Sequence, residues 1–115
     1  MEEIFDFEIN QFDFDLIEHV KTIRESHGFN KEELSLKMGL AKTFVGNVES
    51  YKQRHKYSTR HIALLAKAFG FKNISKLMDF PTPEHDWIKV TVKQTTYETS
   101  TKVMSNEVIK IEAIE

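Results

Sequence analysis

The sequence contains no cysteine, which excludes a disulfide framework, a thiolate zinc site and a cysteine nucleophile. It also has no apolar run approaching about 18 residues, so no membrane-spanning helix is expected. The first residues, Met1-Glu2-Glu3, are acidic and lack the basic region that opens a signal peptide. These absences predict a soluble, cytoplasmic protein with no membrane partner.

Neither charge sign dominates the chain, whose net charge is −2 over 115 residues. The distribution is uneven, however. Residues 1–12 carry four acids and no cation, and residues 13–80 carry 12 Lys and Arg against 8 Asp and Glu. Residues 81–115 carry 4 against 6. Local charge governs attraction to phosphate more than the total does, so the middle segment suits a nucleic-acid partner. A solvated surface is the ordinary alternative.

Apolar spacing in the middle segment predicts five helices. Glycines at 28, 39 and 70 follow the first, second and fourth helices, as glycine does at left-handed C-terminal positions. Asn30 and Asn73 are suited to cap the second and fifth helices. Pro81 and Pro83 then end helical structure. The first predicted helix begins near Asp13–Asp15, the second after Asn30, the fourth after Ser58 or Thr59 and the fifth after Asn73. The third spans about residues 41–50.

Two further segments have β-like patterns. In residues 1–12, Phe5, Phe7 and Ile9 recur at period two, which fits either a short strand or an arm that docks aromatic side chains. After residue 84, two runs rich in Thr, Val and Ile predict a hairpin or two edge strands. The expected fold is therefore mainly α. It comprises an N-terminal segment 1–12, a five-helix domain 13–80 and a small hairpin-like extension 84–115.

Two short helices joined by a turn containing glycine follow the helix-turn-helix plan. In that plan the second helix, here about 41–50, presents side chains to base edges in the major groove. Lys donates to guanine, Asn makes two bonds to adenine, and Thr and Phe contact a thymine methyl. The candidate base-contacting residues are Lys42, Thr43, Phe44 and Asn47. Val45 and Val48 face inward and anchor this helix.

The same region resembles the helix-turn-helix domain of the Cro and phage-repressor family, also called the XRE family. The resemblance covers residues 17–79 and lies in IRESHGFNKEELSLKMGLAKTFVGNVES followed by HIALLAKAFGFKNISKLM. It combines a glycine-ended first helix, an Glu-Leu-small-x-x-x-Gly second helix and an aromatic-Val-x-Asn-Val-Glu third helix. A final Ala-x-x-x-Gly helix completes the pattern.

The resemblance implies a homodimer that binds near-palindromic double-stranded DNA and regulates transcription, most often as a repressor. It implies a structural ion pair between Arg24 and Glu49, whose alternative is two unrelated surface charges. It also implies phosphate contacts, by Lys31, Lys52, Arg54 and Lys56. The chain departs from the family after the third helix, where Ser50-Tyr51 replaces the usual glycine and the following loop is longer.

Other functions stay open at this stage. The protein is expected to regulate as a repressor or as the autoregulating antitoxin of a toxin–antitoxin pair, or to use a helix-turn-helix scaffold for protein interaction without DNA. The 84–115 extension is expected to build a homodimer, to fold back, or to capture a protein partner. No enzyme motif, cofactor site or metal site is evident, and the five histidines fit surface positions better than catalytic ones.

Overall fold

The computed structural model of the protein describes residues 1–53 and 55–114. Over these residues the chain forms four α-helices, three strands and one 3₁₀ turn. In chain order the elements are β1 (Glu2–Asn10), α1 (Gln11–Ser26), α2 (Lys31–Lys37), α3 (Phe44–Glu49), α4 (Thr59–Phe69), the 3₁₀ turn (Ile74–Met78), β2 (Trp87–Thr96) and β3 (Val103–Ile114).

The expected fold class, mainly α with five helices and a small extension, is wrong. The fold is α+β, and the described part of the chain has four α-helices and a three-stranded antiparallel sheet. The predicted fifth helix is only the 3₁₀ turn, because five residues between Asn73 and Asp79 leave no room for α-helical hydrogen bonding to propagate. The predicted third helix, 41–50, begins at Phe44, and Lys42 and Thr43 lie in the turn before it.

The N-terminal segment pairs with the C-terminal one. Strand β1 lies antiparallel to β2 in an unbroken register from Glu2 opposite Thr95 to Asn10 opposite Trp87. Strand β3 pairs with the other side of β2. The chain accordingly divides into two compact units. The sheet unit comprises Met1–Gln11 together with the chain from Pro83 onward, and the helical unit is Phe12–Thr82.

The helical unit has a core drawn from every one of its elements. Each helix contributes residues at the spacing that places them on one face. Full burial of a Leu or Val side chain stabilises a fold by about 1.5–3 kcal/mol, so this core is the main source of stability in the unit. Its largest fully buried members are Val20, Leu34, Val45, Leu65 and Leu77.

The sheet unit has one apolar face and one charged face. On β2, Ile88, Val90 and Val92 are fully buried, and Phe7 and Ile9 of β1 lie opposite two of them. The other face carries cross-strand ion pairs, Lys93 with Glu2 at 3.2 Å and Lys89 with Glu112 at 3.9 Å. Alternation along the strands therefore places most of the apolar side chains on one face and most of the charged ones on the other.

Among the described residues, no helix combines the length and the apolar character needed to cross a bilayer.

Candidate nucleic-acid interface

Helix α2 begins at a complete capping box. The Asn30 side chain accepts a hydrogen bond from the Glu33 amide at 2.7 Å, and the Glu33 carboxylate accepts one from the Asn30 amide at 3.0 Å. This reciprocal arrangement fixes where the short helix starts. It also places the Glu33 carboxylate at the helix N-terminus, where it engages the Asn30 amide and opposes the binding of a phosphate group.

Ser35 joins α2 to α3. Its hydroxyl donates to the Lys31 carbonyl at 2.9 Å and accepts from the Val45 amide at 2.9 Å. Ser35 is fully buried, and the Val45 amide is one of the N-terminal donors that a helix cannot satisfy internally. Ser35 is therefore a hydrogen-bonded bridge between the two helices.

Arg24 and Glu49 form a buried, two-pronged ion pair between α1 and α3. The Arg24 Nε lies 2.8 Å from Glu49 Oε2, and Arg24 Nη2 donates to Oε1 at 2.9 Å. Arg24 Nη1 also donates to the Phe29 carbonyl at 2.7 Å, in the loop before α2. Hydrogen bonding to Glu49 raises the pKa of Arg24 despite its burial. One guanidinium thus ties α1 and the loop before α2 to the inner side of α3.

The outer side of α3 and the turn before it hold the candidate base-contacting residues. Lys42 and Thr43 are exposed, and Asn47 is partly exposed. Thr43 occupies the N-cap position, but its side chain makes no capping hydrogen bond. Because Val45, Val48 and Glu49 are buried on the opposite side, these three polar side chains project from a fixed segment.

Phe44 has a different environment from the other three. Its ring centroid lies 4.5 Å from that of His61 and 6.0 Å from that of Tyr57, and it packs against the core. Such offset aromatic packing holds the start of α3 against α4. The predicted thymine contact by Phe44 therefore competes with a packing role inside the protein.

The predicted phosphate-contacting residues do not share one environment. Lys31 is exposed at the start of α2, and its Cδ lies 4.0 Å from where a Cβ at Gly46 would stand. Lys31 thus runs alongside α3. Lys56 lies 3.2 Å from the Asp13 carboxylate in an ion pair. Lys52 is exposed in the loop after α3, and Arg54 lies outside the described residues.

Sequence reasoning missed three contributors to this region. Ser35 was assigned only its small size. His61 caps α4, with its Nδ1 accepting from the Ser58 amide at 2.9 Å. Histidine at the third helical position is not the Glu or Gln that identifies a capping box in sequence. Tyr57 follows a run of polar and basic residues, yet it is buried.

The hydroxyl group of Tyr57 is buried together with its ring. Among residues 1–53 and 55–114, its hydroxyl is the one buried side-chain oxygen or nitrogen without a hydrogen-bond partner. Burial, and then the nearby Glu49 charge, raise the pKa of Tyr57. The hydroxyl therefore stays protonated and keeps its desolvation cost.

Metal chemistry receives no support from the geometry. Within the described part of the chain, no three His, Asp or Glu side chains are grouped closely enough to hold a metal ion.

Comparison with known proteins gives no relative. No protein-family model matches the sequence, and neither a curated protein nor a solved structure is significantly similar to it.

Proposed function

We propose that the helical unit binds double-stranded DNA sequence-specifically and that the protein regulates transcription. The observation that carries this proposal is the two-sided construction of α3. Its inner side is fixed by Val45, Val48 and the Arg24–Glu49 pair. Its outer side presents Lys42, Thr43 and Asn47, whose side chains match the donors and acceptors of base edges.

The charge of the helical unit supports the same proposal. It contains 12 Lys and Arg against 8 Asp and Glu, and one of those acids, Glu49, is buried against Arg24. Lys31, Lys42 and Lys52 are exposed on or next to the α2–α3 segment. Cations in such positions contact phosphates and set the register on the duplex, whereas the α3 side chains select the sequence.

The proposed mode of action has α3 in the major groove and two copies of the chain on a near-palindromic site, most simply as a repressor that occludes a promoter. Such a regulator acts where the DNA is, which for this proposal is the cytoplasm. An antitoxin that represses its own operon would use the same DNA-binding geometry. A toxin encoded beside it would distinguish that case.

The experiment is selection of bound duplexes from a random pool by the full chain, followed by affinity measurement on the selected sequence at several salt concentrations. The Lys42→Ala/Asn47→Ala variant is expected to bind that sequence at least about tenfold more weakly, because each good base contact is worth about 1–3 kcal/mol. The affinity of the unaltered chain should fall steeply as salt rises.

A matched control exists in the same unit. Lys72 and Asn73 are exposed, and the Lys72→Ala/Asn73→Ala variant removes the same two residue types outside α3. It should retain affinity to within about threefold, which corresponds to the ±0.5 kcal/mol or so typical of neutral surface changes. Failure to bind any duplex at low salt would refute the proposal, as would equal losses in the two variants.

A second candidate function is a protein-interaction module that has lost DNA binding. The partial withdrawal of the predicted contacts favours it, because Phe44 packs inward and Lys56 is paired with Asp13. The exposed Glu32 and Glu33 also stand beside Lys31 and weaken the local positive potential. No enrichment of any duplex would favour this alternative.

A further inference from the structure

Strand β3 is an edge strand whose apolar side chains are uncovered. It is 12 residues long, and among the described residues it pairs only with β2. Long edge strands with exposed apolar side chains offer unpaired backbone groups to a further strand. Its exposed large apolar residues are Val103, Met104, Ile109, Ile111 and Ile114, each between 37 and 53% exposed.

The two edges of the sheet differ in their protection. Strand β1 carries Glu2, Glu3, Asp6 and Glu8 and no cation, so two β1 strands placed side by side would oppose acid with acid. Strand β3 carries both signs, with Lys110 between Glu107 and Glu112. Only the β3 edge is therefore suited to pair with a second copy of itself.

The side chain of Ile111 is much more exposed than its neighbours in the same row of the sheet. Ile111 stands opposite Val90, which in turn stands opposite Phe7, so the three share one row of the apolar face. Val90 is 0% exposed and Phe7 is 7% exposed, whereas Ile111 is 49% exposed. This row of apolar side chains is thus buried on β2 and β1 but exposed on β3.

We propose that β3 pairs antiparallel with β3 of a second copy, which joins two three-stranded sheets into one of six strands. The two-fold axis relating antiparallel neighbours stands perpendicular to the sheet and keeps each face on its own side. Residues that oppose each other must therefore belong to the same face. This symmetry restricts the register to a few choices.

Charge complementarity selects the register centred on Ile111. It places Ile111 against its own copy, and Lys110 opposite Glu112 of the second chain, twice by symmetry. Registers centred on Lys110 or on Glu112 oppose like charges instead. The region from Lys110 to Ile114 pairs regularly with β2, whereas Ile109 is skipped at a bulge. A register centred on that bulge, with Lys110 opposite Glu107, would oppose two irregular segments.

This inference deepens the proposed function, since it supplies the surface for a dimer, but its test needs no DNA. The mass of the full chain in solution is measured by sedimentation equilibrium over a range of concentrations. The unaltered chain is expected to dimerise. The variants Lys110→Glu and Glu112→Lys should each raise the dimer dissociation constant on the order of tenfold or more, because two attractive cross-strand pairs become repulsive.

The decisive arm mixes the two variants. Lys110→Glu chains carry two acids where Glu112→Lys chains carry two cations, so an equimolar mixture should form heterodimers with roughly the affinity of the unaltered chain. The double variant Lys110→Glu/Glu112→Lys should dimerise with itself. Both altered side chains are solvent-accessible, at 63 and 41%, and circular dichroism checks that each variant is folded.

Lys102→Glu, in the exposed β2–β3 loop, makes the same charge change outside the pairing segment and should leave the dissociation constant unchanged. A monomeric unaltered chain would overturn the proposal, as would dimers indifferent to Lys110→Glu. Rescue of Lys110→Glu by Glu107→Lys instead of Glu112→Lys would overturn the Ile111-centred register. DNA-binding failure in a chain that still dimerises would refute only the proposed function.

Discussion

The helical unit and the sheet unit carry opposite charge. The first has 12 Lys and Arg against 8 Asp and Glu, and the second has 4 against 10. The near-neutral total of −2 hides this division. The units also differ in burial. The apolar core of the helical unit is covered, whereas the large apolar side chains of β3 in the sheet unit are exposed. The charge of this protein is thus better described for each unit than for the whole chain.

The largest expected effect concerns the buried ion pair of the helical unit. Arg24→Met leaves the Glu49 carboxylate buried without its cation, so the free energy of unfolding should fall by about 3–5 kcal/mol. Urea denaturation followed by circular dichroism measures this loss. Fluorescence of Trp87, the only tryptophan and part of β2, follows the sheet unit in the same titration.

The control for this prediction is the paired variant Arg24→Met/Glu49→Leu, which removes both charges. It should recover a large part of the loss, because apolar replacement of a buried ion pair is often close to neutral. A loss below about 1 kcal/mol for Arg24→Met would contradict a buried pair that fixes α3.

The next effect contrasts one serine in each unit. Ser35→Ala removes two hydrogen bonds and leaves the Val45 amide buried and unpaired, so it should destabilise the chain by about 1–3 kcal/mol. Ser105→Ala changes an exposed residue of β3 and should cost no more than about 0.5 kcal/mol. Thermal or chemical unfolding compares the two, and equal effects would remove the contrast between the units.

A smaller effect of opposite sign is expected at Tyr57. Tyr57→Phe keeps the buried ring and removes the hydroxyl that has no partner among the described residues. The free energy of unfolding should rise by about 1 kcal/mol, since the desolvation cost of the hydroxyl disappears. Tyr97, which is 45% exposed in the sheet unit, provides the control Tyr97→Phe with no expected change. Destabilisation by Tyr57→Phe would reveal a partner for the hydroxyl.

The smallest effect concerns pH and the cap of α4. Burial, and then the Arg60 charge, lower the pKa of His61 from 6.5. A lowered folded pKa means that the neutral ring stabilises the fold above the unfolded-state pKa. That contribution is lost as the pH falls below about 6.5 and through the folded value. A protonated Nδ1 no longer accepts the Ser58 amide.

His61→Gln tests this reasoning, because glutamine at the same helical position completes a capping box without titrating. Between about pH 7.5 and 5.5, the range that brackets the ordinary histidine pKa, unfolding free energy should fall less in this variant than in the unaltered chain. The sheet-unit variant His85→Gln should keep the original fall. An identical pH dependence in His61→Gln and the unaltered chain would exclude His61 as the titrating cap.

Local signals predicted the helical unit well where they were physically strong. Asn30 caps α2, and Gly39 has a positive φ of 76° after it, a backbone state that glycine adopts without strain. The Arg24–Glu49 geometry followed from a family resemblance and not from spacing alone. The prediction of a fifth helix is wrong because the spacing of Ile74, Leu77 and Met78 fits a short 3₁₀ turn as well as an α-helix.

The sheet was less predictable because strand pairing is not local. The alternation of Phe5, Phe7 and Ile9 indicated a strand, but nothing within residues 1–12 identifies β2 as its partner. Their register, Phe7 opposite Val90, is decided by burial on one face across a wide separation in sequence. The Ser35 bridge is similar, since a serine hydroxyl gives no sign in sequence of which amide it will meet.

The placement of the helical unit between β1 and β2 in the chain has a consequence for synthesis. Strand β1 is synthesised before the helical unit, yet its partner β2 follows only after that unit has been made. The helical unit is contiguous in sequence, so we expect it to fold while β1 still lacks its pairing strand. During that interval the acids of β1 repel other copies. The same residues that edge the finished sheet thereby protect the nascent chain from aggregation.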